Sequence, residues 1–280
     1  MAHPDRKPAV HRVAGIDFTS RPRRAKPLTV ALGRRQGGVV VLERLEAHLD
    51  GASLVRFLRT PGPWVAAFDF PFGLPRDVVQ ALGWPSAWRE LITHYTALSR
   101  AEIRAAFAAF CAARPAGSKF AHRACDARAG SSSPMKWVNP PVAYMLHAGV
   151  PLLLEAGLHL PHLHPGDETR VALEGYPGML ARELIGRRSY KHDARAGDTA
   201  DRRAAREAIL DALERGTTRL GLRLVLDPQQ REALVAERSA DRLDAVLCLV
   251  QAAWAAGQPN HGLPPDIDPV EGWIVTTPAR

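Results

Sequence analysis

The chain has 280 residues, 46% of them hydrophobic, which excludes a disordered or fibrous polypeptide and allows one large domain or two small ones around a sizeable core. A formal net charge of +8 and a pI near 9.9 suit a polyanionic partner, because Lys and Arg neutralise phosphates and release counterions. Only five of the 37 basic residues are lysine, and Ala, Arg, Gly and Pro are abundant, so the charge permits nucleic-acid binding without establishing it.

The first residues, MAHPDRKPAVHR, lack the apolar region of a secretory signal, and the longest apolar stretch, around Val150 to Leu154, is too short to span a bilayer. The expectation is a soluble, cytoplasmic protein with no membrane partner. Cys111, Cys125 and Cys248 are widely spaced with no C-x-x-C pair, the pattern of reduced thiols in or near the core.

In chain order, His11 to Phe18 reads as a strand that ends at Gly15-Ile16-Asp17, before a basic Pro-containing turn. Leu28 to Leu32 and Val39 to Leu45 follow as a hairpin, which with the first strand makes an antiparallel meander. A short amphipathic helix, Ala52 to Leu58, leads into Trp64 to Asp69, a near-continuous apolar run typical of a buried parallel strand. Residues 76–158 are helical by pattern, with Ser99 and Glu102 as a capping box, and look like an insertion into a single domain over 1–280. Within that stretch, 117–141 is a long polar connection of the kind that carries function. Thr169 to Glu174 is the next strand, before a helix from Gly178 to Ile185. An Arg- and Ala-rich helix to Glu214, a short extended piece from Leu220 to Leu226, and a helix to Ala256 with Ser239 as its cap complete the chain.

A meander, a helix, a parallel strand and an α/β continuation is the order in which an RNase H-like α/β fold is assembled, and ligand sites in such sheets lie outside strand C-termini. Asp17, Asp69 and Glu174 all fall there, and Asp241 and Asp244 share one face of the last helix. Packed carboxylates repel, so their clustering makes sense with a divalent cation; Mg²⁺ or Mn²⁺ suits an all-oxygen site. One or two such ions, the latter roughly 3.5 to 4 Å apart, serve in-line phosphodiester displacement. The candidate catalytic set is therefore Asp17, Asp69, Glu174, Asp244 and Lys191, with Asp17, Asp69, Glu174, Asp241 and Asp244 as metal ligands. Asp17 and Asp69 also suit turn capping, and Glu174 and Asp241 suit helix N-termini. Lys191 suits either a substrate phosphate or an exposed loop, and Tyr190 suits packing. His159, His162 and His164 invite a zinc reading, but Pro161 and the lack of a nearby acid or cysteine favour a loop.

The chain resembles domain-of-unknown-function family 429, a group of RNase H-like proteins predicted to be nucleases and related in fold to Holliday-junction resolvases. Carrying the resemblance are Gly15-Ile16-Asp17, Phe68-Asp69-Phe70-Pro71-Phe72-Gly73-Leu74-Pro75, Glu174 with Tyr176-Pro177, Tyr190-Lys191, and Asp241-Arg242-Leu243-Asp244-Ala245. It implies a metal-dependent nuclease acting on DNA or RNA, and a resolvase-like role would require two sites and so a homodimer. The alternatives are a non-catalytic nucleic-acid-binding module and an ATP-dependent phosphotransferase of the actin and sugar-kinase type. For the latter, the Gly-Thr-rich phosphate turns and a second meander are missing from the sequence.

Overall fold

The computed structural model describes residues 10–278, the side chain of Arg195 excepted. Val10–Asp17 (β1), Leu28–Gln36 (β2) and Val39–His48 (β3) form the antiparallel meander, with a register shift between Leu32 and Gly33. Gly51–Leu58 (α1), capped by the Asp50 side chain, leads to Trp64–Phe68 (β4), which pairs parallel to β1. Five helices follow: Arg76–Ala81 (α2), Trp88–Ala97 (α3), Arg100–Ala112 (α4), Ala124–Ala129 (α5) and Val142–Glu155 (α6). The chain then returns through Leu158–His159 (β5) and Asp167–Glu174 (β6) to Pro177–Ile185 (α7), Ala200–Arg215 (α8), Arg223–Val225 (β7), Pro228–Ala236 (α9) and Asp241–Ala255 (α10).

The seven strands make one mixed sheet in the order β5-β6-β4-β1-β2-β3-β7, antiparallel through the meander and parallel elsewhere. Flanked by helices on both faces, this arrangement is compatible with an RNase H-like fold. Side-chain alternation divides the core in two. Ala14, Ile16, Leu28, Val30, Ala66 and Phe68 pack with apolar residues of α1 to α4 and α6 on one face. Val13, Ala31, Ala67 and Leu173 meet α7 to α10 on the other. Strand β4 reads as unbroken apolar sequence because both of its faces are buried.

Several details differ from the sequence reading. Strand β4 stops at Phe68, so Asp69 lies one residue past it. Only three residues of the 220–226 stretch pair, against β3. The 117–141 connection holds α5, whose entry is fixed by hydrogen bonds between Arg123 and Asp126. Helix α10 is not capped by Ser239: its N-cap is Ala240, with φ of 57° and no side-chain cap bond. The Ser99–Glu102 capping box forms as expected. All three cysteines are buried and free. Among the described residues no helix is long and apolar enough to cross a membrane.

Candidate metal centre and adjoining cavity

Adjacent parallel strands bring their C-terminal ends level, which is how acids 52 residues apart in sequence meet. Asp17 is the last residue of β1, and the backbone N–H of Asp69 donates to the carbonyl of Ile16 (2.9 Å), continuing the β1–β4 register past the strand end. Asp244 comes from above the sheet, in the first turn of α10. That helix sits hard on β1 because residue 15 is glycine: a Cβ there would lie 2.1 Å from the carbonyl oxygen of Ala245 and from the nitrogen of Leu249. Close approach of two backbones is what glycine permits.

Asp17, Asp69 and Asp244 each offer an oxygen within 4.8 Å of the others, and among the described residues no other group of acids, histidines or cysteines does so. Asp17 and Asp244 are buried; Asp69 opens onto a cavity. Burial, followed by repulsion from Asp244, Asp241 and Asp69, pushes the Asp17 carboxyl well above its ordinary range. Burial and the Asp244 charge push Asp69 up to about 7. Asp244 is held from the opposite side: the Tyr190 hydroxyl donates to one oxygen (2.6 Å) and the Lys191 ammonium to the other (2.5 Å). The Lys191 stem is exposed, whereas its head lies among the acids. Burial would lower its pKa, but Asp244, Tyr190 and Asp69 hold it well above the usual lysine range.

Two residues of the expected ligand set lie outside this trio. Asp241 faces Lys26 at 4.0 Å, and Lys26 also pairs with Asp193 at 3.3 Å. Glu174, the last residue of β6, accepts from both terminal nitrogens of Arg123 (2.6 and 2.7 Å) and from the Phe72 amide (3.0 Å). Arg123 is itself buried, pairs with Asp126 (2.9 Å), and donates to the carbonyl of Glu271 (3.0 Å). Glu174 therefore belongs to an ion-pair network beneath the trio. It still raises the pKa of Asp69 and lines the same cavity.

That cavity, about 380 Å³, starts at Asp69 and Lys191 and is walled by the segment after β6, by α6 and by the 117–141 connection. The sequence did not mark Arg123 within that connection as structural, although the length of the connection pointed to the region. Nor did it mark Arg206, which is fully buried on α8 and donates to the carbonyls of Tyr190 (2.9 Å) and Val235 (2.7 Å) and to Asp198 (3.0 Å). Arg206 thereby fixes the backbone that presents Tyr190 and Lys191. Of the histidines, His159 sits in β5 and His164 stacks on Trp88 at 5.8 Å.

The donor set fits a hard divalent cation. With all three carboxylates ionised, one ammonium leaves two negative charges unbalanced in a buried space, and every donor is a carboxylate oxygen. Fold and site together define an α/β protein with a three-carboxylate centre at the C-terminal edge of its parallel strands. The chain belongs to the family described as Protein of unknown function (DUF429), whose model matches residues 15–267. No curated protein and no solved structure matches it.

Proposed function

We propose that the protein is a divalent-metal-dependent nuclease that hydrolyses phosphodiester bonds of DNA or RNA, with Mg²⁺ or Mn²⁺ held by Asp17, Asp69 and Asp244. The observation that carries this reading is the buried trio of carboxylates, whose mutual repulsion has no structural benefit without a cation. When bound, such an ion supplies a water of lowered pKa and shields the charge that builds on a phosphate. The side chains of this protein do the rest. Tyr190 and Lys191 hold Asp244 in one orientation, and Arg206 holds the Tyr190–Lys191 backbone in place. The Lys191 ammonium, on an exposed stem, is placed to contact a phosphate that arrives beside Asp69. Asp241 with Lys26 and Glu174 with Arg123 keep the surrounding charges paired.

The test is cleavage of labelled single-stranded, duplex, hybrid and junction nucleic acids with Mn²⁺, Mg²⁺ or EDTA, run beside Asp17→Asn. Cutting should require the metal and fall at least about 100-fold in the variant, the scale on which loss of one charge-stabilising group is felt in catalysis. Cutting that persists in EDTA, or no cutting of any substrate by folded protein, would overturn the proposal. Salt-sensitive binding without cutting would identify a binding module, and ATP turnover a phosphotransferase.

A further inference from the structure

Resting on the nuclease reading, we infer that the substrate is recognised as a single strand, with one unpaired nucleotide sunk into the cavity beside Asp69. At about 380 Å³ the cavity is at the low end of the roughly 300–1,000 Å³ that encloses one small molecule. It has room for about one nucleotide. A base inside a duplex cannot enter such a space without first leaving its stack.

The chemistry of the walls points the same way. Phe70, Val142, Met145 and Pro177 line the cavity, apolar surface that suits the faces of a base rather than a charged backbone. At one side stands Tyr176, half-buried, with the Arg182 guanidinium 5.3 Å from its ring centroid and donating to its hydroxyl at 3.1 Å. Arg182 is anchored in turn on the carbonyl of Ala129 (2.6 Å), and the Tyr176 amide donates to Gln251 (3.0 Å). The ring is thus held before any ligand arrives, as a stacking platform requires. Stacking on a π-face accepts any base, so the site reads strandedness rather than sequence.

Asp69 and Lys191 line this cavity together with Tyr176, so a nucleotide seated on Tyr176 has its adjoining phosphate beside Asp69, one member of the carboxylate trio. The structural consequence is a division of labour: the strand ends supply the acids, and the helical stretch after β4 supplies a wall that a duplex cannot pass.

The test uses the full-length protein with Mn²⁺ on three substrates of one sequence: a single strand, a blunt duplex, and a duplex with an internal unpaired loop. The single strand and the loop should be cut, and the fully paired substrate at least about 100-fold more slowly. Tyr176→Ala should raise KM about tenfold or more with kcat little changed, from the loss of one stacked base, and Tyr176→Trp should restore it. Met145→Trp, which narrows the cavity, should raise KM for the single strand while calorimetry still detects Mn²⁺ binding. Equal cutting of the duplex would overturn this inference and leave the nuclease standing. An unchanged KM in Tyr176→Ala would remove the platform. No cutting of any substrate would overturn the nuclease reading and this one with it.

Discussion

Three carboxylates within 4.8 Å of one another are a cost to the fold that single substitutions expose. Replacing Asp69 by Asn removes a charge that burial and Asp244 disfavour, so the metal-free variant should melt higher than the parent near neutral pH while losing metal affinity. A lower melting temperature in Asp69→Asn would mean that the acid is structurally satisfied and the repulsion argument is wrong. Arg123 is the opposite case. Arg123→Met strands Glu174 and Asp126 as buried, unpaired charges, and urea denaturation should show a loss of about 3–5 kcal/mol. A loss below about 1 kcal/mol would show that the two acids do not depend on the guanidinium for their place in the core. These two residues also mark what the sequence could reveal. Asp17, Asp69 and Asp244 were legible because each terminates a strand or opens a helix, a local signal. Glu174 has the same local signal, yet it is turned into a different network by an arginine 51 positions away, which no local pattern encodes.

At the level of elements, the centre depends on how closely α10 lies on β1. Gly15→Ala places a methyl group inside the backbone of α10, and no rotamer change of a neighbour can make room. The helix must move away and carry Asp244 with it. Gly15→Ala should therefore lower stability by several kcal/mol, as overpacked cores do, and abolish Mn²⁺ binding in whatever protein remains folded. Tight Mn²⁺ binding by folded Gly15→Ala would show that Asp244 is not a necessary ligand. The meander, β4, β6 and α10 are legible in the sequence because their apolar periodicity is strong, but the start of α10 is not. Ser239 is a good cap by residue type. The helix instead begins from Ala240 in a left-handed conformation, a choice made by tertiary packing, since Ala240 is fully buried. The helices between β4 and β5 were legible as helical. That their segments would wall a cavity on the acids was not, because the contacts arise only once the sheet has gathered β4 and β6 side by side.

For the molecule as a whole, the raised carboxyls set how stability varies with pH. Asp17, Asp69, Glu174, Asp241 and Glu237 all have pKa values lifted chiefly by burial, so between the unfolded and folded values the native state holds more protons than the unfolded one. Their contribution is fully present below pH of about 4 and is lost as the pH rises through the folded values, with Asp69 spanning the window up to about 7. Asp167, held down to about 2 by hydrogen bonds from Arg170 and Thr169, acts in the opposite sense, and its effect falls below that window. The metal-free protein should consequently lose melting temperature as the pH rises from about 4 to about 7, most steeply between those two values, where the native Asp69 holds a proton that the unfolded chain has released. A divalent ion binds only the native, ionised trio, so at 100 times its dissociation constant it adds about 2.7 kcal/mol, roughly 5 to 10 °C for a chain of this size. Differential scanning calorimetry across pH, with EDTA or Mn²⁺, checks both halves together. The Mn²⁺ increment should grow with pH and vanish in Asp17→Asn. A Mn²⁺ increment that is absent, or that survives unchanged in Asp17→Asn, would detach the metal from the carboxylate trio, because proton release from Asp17 and Asp69 is what ties ion binding to pH.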